Sequence, residues 1–260
     1  MGVENLLFEE REGIGIITIN RPEKLNALNK ALLGKLRGLL ERVKQDEKIR
    51  VLIITGSGEK AFAAGADIDE IAALGLTNTF NFTRDGQQVT LGIEKMGKPV
   101  IAGINGLALG GGFELALACT FRIVSENARM GLPEVGLGAM PGMGGTQRLP
   151  RLIGKSRALW YVLTGELIDA ETALRLGLVN KVVPVGKVME TCLDVAKTLL
   201  GKGPLAMNCV LQAVNWGLEI GQEEGLLLES TLTAIACASE DKNEGIKAFL
   251  EKRKPNFKGR

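Results

Sequence analysis

The chain contains no histidine. A Ser-His-Asp triad, a Cys-His pair, a His-ligated metal and a proximal haem histidine are thereby excluded together. Acid–base chemistry near neutral pH falls to Glu, Asp, Lys, Cys or the only tyrosine, Tyr161. Aromatic residues make up 4% of the chain, too few for a platform on which nucleic-acid bases stack. An excess of one charge is also lacking. Lys and Arg number 32 against 30 Asp and Glu, and a net charge of +2 argues for neither nucleic acid nor an acidic membrane surface. The four cysteines, Cys119, Cys192, Cys209 and Cys237, have no CxxC spacing. Most of them fall inside apolar helical patterns, where a free Cys behaves as a small hydrophobe, so reduced, buried thiols are expected. No charged-then-apolar signal segment opens the sequence and no Arg-rich presequence precedes Val3, so a cytoplasmic location is expected.

What is present is glycine, 34 of 260 residues, nearly twice its usual share. Hydrophobic residues at 45% and charged residues at 24% describe an ordinary globular chain. At this length it buries on the order of three quarters of its unfolded surface. Residues 100–121 are nearly free of charge, yet they contain five glycines and follow Pro99. A strand, a Gly-rich turn and a buried helix account for them better than a membrane span.

Short β-branched runs bounded by turn residues mark strands at 15–20, 51–55, 100–104, 121–124 and 179–183. Helical patterns alternate with them. From about residue 27 to 44, Leu28, Leu32, Leu36, Leu40 and Val43 form one stripe. Asp169 reads as an N-cap and Gly177 as the residue beyond a helix end. Strands alternating with helices predict an α/β architecture. Strand signals stop after about Ala196. Pro204 suits a first helical turn, and helical spacing continues through 205–216, 219–237 and 243–252. The chain is therefore divided into a core, 1–195, and a helical subdomain, 196–260, that packs on the core, on another subunit, or on both.

Two segments repeat one device. A strand is followed by small residues and a helical pattern, first at Ala61-Phe62-Ala63-Ala64-Gly65-Ala66-Asp67 and again at Asn105-Gly106 through Gly110-Gly111-Gly112. Unpaired N–H groups at a helix start favour negative charge, and two of them facing one point would make an oxyanion hole. Taken alone, either segment is explained more simply by plain turn and capping glycines. Glu114 follows the second segment inside the apolar run Phe113, Leu115, Ala116, Leu117, Ala118. Burial would raise its pKa while the helix N-terminus pulls it down, and the alternative is a first-turn Glu meeting its own backbone amides. Glu134, after Pro133, is the only charge in 131–138. Two such carboxyls could handle one water, one removing a proton and the other delivering one to carbon. The GxGxxA match at 56–61 has no acid at the distance a dinucleotide fold requires, and the Gly-rich 136–145 run lacks a P-loop Lys. No cluster of metal-ligand residues is seen.

Several motifs taken together resemble the enoyl-CoA hydratase/isomerase (crotonase) family. They are Asn20-Arg21-Pro22 with Leu25-Asn26-Ala27-Leu28, Phe62 to Ile68, and Asn105-Gly106 through Gly110-Gly111-Gly112-Phe113-Glu114. Leu132-Pro133-Glu134, Pro141 through Leu149, Leu163-Thr164-Gly165, Ala173 to Val179 and the tail 249–253 complete the set, in the family's order from about Gly15 to Phe257. The resemblance implies a spiral of ββα units with two roughly perpendicular sheets, and C-terminal helices that build a homotrimer or a homohexamer of two trimers. It implies an acyl-CoA thioester as substrate and no cofactor beyond the CoA the substrate carries. The backbone N–H groups of Ala66 and Gly111 would form the oxyanion hole. Lys24, Leu25, Ala27, Ala64, Asp67, Ile68 and Lys252 would contact CoA, although Lys252 reads equally well as a solvated helix-end lysine.

Family hydratases carry glutamates at both positions matching Glu114 and Glu134. The resemblance therefore implies reversible hydration of a short- or medium-chain trans-2-enoyl-CoA to a 3-hydroxyacyl-CoA, in fatty-acid or butanoate metabolism. Double-bond isomerisation by the same acids is the alternative within the family. A more distant alternative is AU-rich RNA binding through the helix bearing Lys30, Lys35, Arg37, Arg42 and Lys44, where the weak net charge favours a solvated face, so nucleic acid is not expected as a partner.

Overall fold

The structure is a computed structural model that describes residues 5–260; the expected lack of a presequence before Val3 concerns residues outside that range. The strands are β1 Leu6–Arg11, β2 Ile14–Ile19, β3 Val51–Gly56, β4 Ala61–Ala64, β5 Val100–Ile104, β6 Leu107–Leu109, β7 Phe121–Ser125, β8 Arg129–Gly131, β9 Ile168–Asp169 and β10 Lys181–Val183. Helices α1 Lys30–Gln45, α2 Ile68–Ala72, α3 Leu76–Glu94, α4 Gly111–Leu117, α5 Gly145–Ile153, α6 Lys155–Thr164 and α7 Ala170–Arg175 lie between them. After β10 the chain is helical: α8 Val188–Leu200, α9 Pro204–Gly217, α10 Gln222–Cys237 and α11 Glu240–Leu250.

The strands form two sheets, as the α/β expectation requires. One runs β1-β2-β3-β5-β7-β10, antiparallel only between β1 and β2. The other runs β4-β6-β8-β9, parallel except for β8–β9. The chain visits them in alternation: β3 then β4, β5 then β6, β7 then β8, each pair followed by a helix or helical turn. This is the repeating ββα winding. Every residue of β3 and β5 is buried, as expected for parallel strands covered on both faces. Alternate side chains serve different cores. Ile14, Ile16, Val51, Ile53, Ile101 and Ile123 pack with Val188, Cys192 and Ala196 of α8. Ile17, Ile19, Leu52, Ile54, Ala102 and Ile104 face α1 and the second sheet's side.

Several boundaries differ from the sequence expectation for local reasons. Helix α1 begins at Lys30, not near Ala27, because Asn29 caps it by accepting Leu32 N–H at 2.8 Å, while Leu28 is drawn into a bridge with Ala66. The last strand begins at Lys181, not Val179, since Asn180 Oδ1 accepts Arg122 N–H at 2.9 Å and its side chain opens the pairing. Gly221 and Ser239 cap the last two helices, which shifts their starts to Gln222 and Glu240. Residues 100–121 contain an additional strand, β6, between the expected strand and helix. Asp169 caps α7 through Thr172 N–H, and Gly177 follows in the left-handed region, φ +70°. Cys237 is exposed, contrary to the expectation of buried thiols; the other three are buried. Among the described residues no helix is long and apolar enough to cross a membrane.

Candidate active site

In the second sheet Ala64 pairs with Leu109, and Leu109 with Gly131. Three parallel strands thus end level with one another. The segments that leave them, 65–67, 110–111 and 132–134, emerge along one edge, the usual place for a site in a parallel sheet. Ala66, Gly111, Glu114 and Glu134 all depend on this edge.

The first segment is held by the chain that precedes α1. Ala64 N–H donates to Leu25 O at 3.0 Å, Leu28 N–H to Gly65 O at 2.8 Å and Asp67 N–H to Leu28 O at 2.8 Å. In such a parallel bridge the groups of Ala66 itself face away from Leu28, leaving its N–H free of any acceptor among the described residues. This corrects the helix-start explanation of the donor, because α2 begins only at Ile68. Arg21 clamps both chains, donating to Ala27 O at 2.7 Å and to Asp67 Oδ2 at 2.8 Å. The guanidinium holds the Asp67 carboxyl below its usual range. Asn26, in the left-handed region, accepts Arg21 N–H and donates to Ala61 O at 2.7 Å.

Gly111 is the first residue of α4, and its N–H has no intrahelical acceptor. The preceding Gly110 has φ +49°, and a Cβ there would stand 3.0 Å from Glu134 Oε1, so the turn needs glycine for both conformation and clearance. One turn on, Glu114 is 1% exposed. Its Oε1 accepts Met143 N–H at 2.8 Å and Gly145 N–H at 2.7 Å. The carboxylate is therefore satisfied by the start of α5, not by its own helix. Burial pushes its pKa up, while the Gly145 and Met143 amides and the Arg148 guanidinium draw it back.

Glu134 lies in a helical turn, Pro133–Leu137, that follows β8. Its Oε2 is buried and has no hydrogen-bond partner among the described residues. Burial, with a smaller contribution from the charge of Glu114, pushes its carboxyl up to about 7. Two carboxyls with raised pKa and two free N–H groups thus share one edge, a set suited to moving protons beside a developing oxyanion.

The remaining sequence candidates divide. Lys24, Leu25, Ala27, Ala64, Asp67 and Ile68 form one patch, joined by the backbone bonds above and by Lys24 Nζ donating to Asp69 Oδ2 at 2.8 Å. Asp67 is occupied by Arg21, so its side chain serves that patch as a brace. Lys252 stands apart. It is exposed in a left-handed turn after α11, and no described residue pairs with its ammonium. The basic residues of α1 are engaged locally in part, with Arg37 on Asp85 at 3.4 Å and Arg42 over the Phe8 ring. Sequence reasoning missed the amide pair of Met143 and Gly145, and it gave Arg21 and Arg148 no role. The signal for the pair was the Gly142-Met143-Gly144-Gly145 run opening an amphipathic helix, a place where N–H groups await an anion.

Comparison with known proteins agrees with this geometry. A family model described as enoyl-CoA hydratase/isomerase matches residues 9–260. Crotonyl-CoA hydratase of Syntrophomonas wolfei is 45% identical over 257 residues, covering 99% of each chain. Short-chain-enoyl-CoA hydratase of Clostridium acetobutylicum is 41% identical over 261 residues, covering 100% of both. The crystal structure of enoyl-CoA hydratase from Bacillus anthracis superposes with a TM-score of 0.96 at 40% identity, covering 99% of this chain and 100% of that one. Matched from its first sheet to its last helix, in sequence and in fold, this chain belongs to the enoyl-CoA hydratase/isomerase family.

Proposed function

We propose that the protein catalyses the reversible addition of water to a trans-2-enoyl-CoA, giving a 3-hydroxyacyl-CoA. The observation that carries this reading is the pair of carboxyls, buried Glu114 and half-buried Glu134, both with raised pKa, on the sheet edge that bears the free backbone donors. In the hydration direction the thioester oxygen is held by the N–H groups of Ala66 and Gly111, which draws electron density from C3. Glu114, as carboxylate, takes a proton from water as its oxygen bonds to C3. The C2–C3 electron pair moves toward the thioester, and Glu134, as the acid, gives its proton to C2. A carboxyl near 7 with one oxygen free of partners suits that second task. The reaction written this way calls for no cofactor beyond the CoA that the substrate carries.

The names of the two hydratases above support a short enoyl chain, so crotonyl-CoA is the substrate to try first. The Lys24 to Ala27 and Ala64 to Ile68 patch is the proposed CoA contact. The helical region 196–260 is proposed to assemble a trimer, or a hexamer of two trimers. Exposed Leu218, Leu226, Leu227, Phe249 and Leu250 support that role. Unpaired cysteines fit a cytoplasmic enzyme. Purified protein is expected to bleach the ultraviolet absorbance of the conjugated thioester of crotonyl-CoA and to restore it from 3-hydroxybutyryl-CoA. Absence of both changes, on longer enoyl chains as well, overturns the proposal. Sedimentation velocity reads the assembly, and a monomer at micromolar concentration contradicts that part.

A further inference from the structure

We infer that Arg148, clasped by Glu94, is a positioning residue for Glu114: it fixes the 143–145 turn whose two amides receive that carboxylate. The inference rests on the hydratase reading, in which Glu114 is the base. Helix α3 presents Gln87, Thr90 and Glu94 at spacings of three and four, hence on one face. All three reach the turn or its neighbour. Gln87 Nε2 donates to Gly142 O at 2.8 Å and Thr90 Oγ1 to Met143 O at 3.0 Å. Glu94 accepts Arg148 Nε at 2.6 Å and Nη2 at 2.7 Å, while Arg148 Nη1 donates to Met143 O at 3.1 Å.

Met143 is thus gripped at both ends. Its carbonyl takes two hydrogen bonds on the α3 side, while its N–H points at Glu114. The Met143 N–H shares its peptide plane with Gly142 O, which Gln87 holds. Met143 O shares the next plane with the Gly144 N–H and is held by Thr90 and Arg148. Turning either plane breaks two of these bonds, so the donors stay aimed. A Cβ on Gly144 would lie 1.9 Å from Arg148 Nη1, which shows how closely the guanidinium lies on the turn. The planar fork makes these contacts with three nitrogens together, a geometry lysine cannot copy.

Arg148 also acts through charge. The groups around Glu114 are Glu134 on the turn after β8, Arg148 on α5, and Glu94 on α3, which is engaged by Arg148. Cys119, just past the end of α4, is neutral, its thiol pushed up to about 12 by burial. Arg122 of β7 donates to Ala116 O and Cys119 O at that far end of α4. Strands β4 and β6 bring no titratable group. Arg148 is therefore the cation that favours the Glu114 anion. Removing its charge raises the pH at which the base becomes competent, and the acid limb of kcat/KM moves to higher pH.

The test uses Arg148→Gln, Arg148→Lys and Thr90→Val in the full chain with crotonyl-CoA. Arg148→Gln is expected to lower kcat about ten- to a hundredfold with KM little changed, and to move the acid limb upward. Arg148→Lys keeps the charge and loses the fork, so the limb returns toward that of the unaltered protein while kcat stays low. Thr90→Val leaves one bond on Met143 O and gives a smaller fall. If Arg148→Gln does not fold, the other two variants decide. A 13C NMR titration of the Glu114 carboxyl, assigned against Glu114→Gln, reads the same hold without turnover. Inactive parent protein with a displaced Glu114 titration would remove the hydratase reading alone. Unchanged kcat, acid limb and Glu114 titration in the Arg148 variants would overturn the positioning role.

Discussion

Gly112→Ala is the smallest change that tests whether the second sheet sets the spacing of the two free donors. Gly112 follows Gly111 in the first turn of α4, which packs on β4. A methyl group built on it would stand 2.0 Å from Ala63 O and 2.7 Å from both the carbonyl carbon and Cβ of Ala63. Ordinary contact begins near 3.4 Å, so about 1.4 Å has to be found. The obstacle is strand backbone, which cannot rotate aside as a side chain would. The first turn of α4 must retreat, carrying the Gly111 N–H with it and away from Ala66. Overpacking of this kind costs about 1–3 kcal/mol, tolerable against a total stability of about 5–15 kcal/mol. A displacement near 1 Å at a reacting centre costs about a hundredfold in rate. The variant is therefore expected to fold, to unfold at lower guanidinium concentration, and to lose about a hundredfold in kcat on crotonyl-CoA. Gly38→Ala in α1 is the control. Nothing lies within 4 Å of a Cβ there, so activity is expected to hold and stability to rise by up to about 1 kcal/mol. Gly112→Ala with kcat within twofold of the unaltered protein would refute the reasoning.

Glu134→Gln tests the cost of burying that carboxyl. Its folded pKa, about 7, exceeds the ordinary 4.5, so its contribution favours the fold below about 4.5 and is lost as pH rises through about 7. The variant is expected to match the unaltered protein near pH 5 and to gain about 1–2 kcal/mol near pH 8, allowing for the group's partial exposure. Equal effects at both pH values in urea unfolding would refute this. Arg21→Met breaks a pair whose side chains are 10% and 12% exposed and frees the Ala27 carbonyl. A loss of about 3 kcal/mol is expected by chemical denaturation; a loss below about 1 kcal/mol would show that the clamp on the Ala66 segment is idle.

Strands β3 and β5 were legible because buried parallel strands must be apolar throughout, and 51–55 and 100–104 are such runs. Asp169, Gly177 and Pro204 marked helix ends because capping chemistry is local. Strands β4 and β6 were not read as strands. Ala61–Ala64 and Leu107–Leu109 are short and lack β-branched residues, so only their pairing within the second sheet, with each other and of the latter with β8, makes them strands. The 19-residue helix α3 was not legible either, since threonines and glycines interrupt its apolar stripe. In the site, Glu114 stood out as one charge in an apolar run, and the burial it implied is observed. The registry of Ala66 with Gly111, by contrast, came only through family resemblance. The Met143 and Gly145 amides belong to a helix that meets Glu114 about thirty residues later in sequence, a contact no local pattern encodes.

The central claim is that two carboxyls, without histidine, move the protons of hydration. Its most direct test is the initial rate of crotonyl-CoA consumption by the unaltered protein, Glu114→Gln and Glu134→Gln, with CoA binding measured in parallel. The two-acid mechanism predicts rapid loss of thioester absorbance in the unaltered protein. It also predicts a fall of roughly a hundredfold to ten-thousandfold in each variant, with CoA affinity retained. Hydration at an undiminished rate by either variant would contradict it.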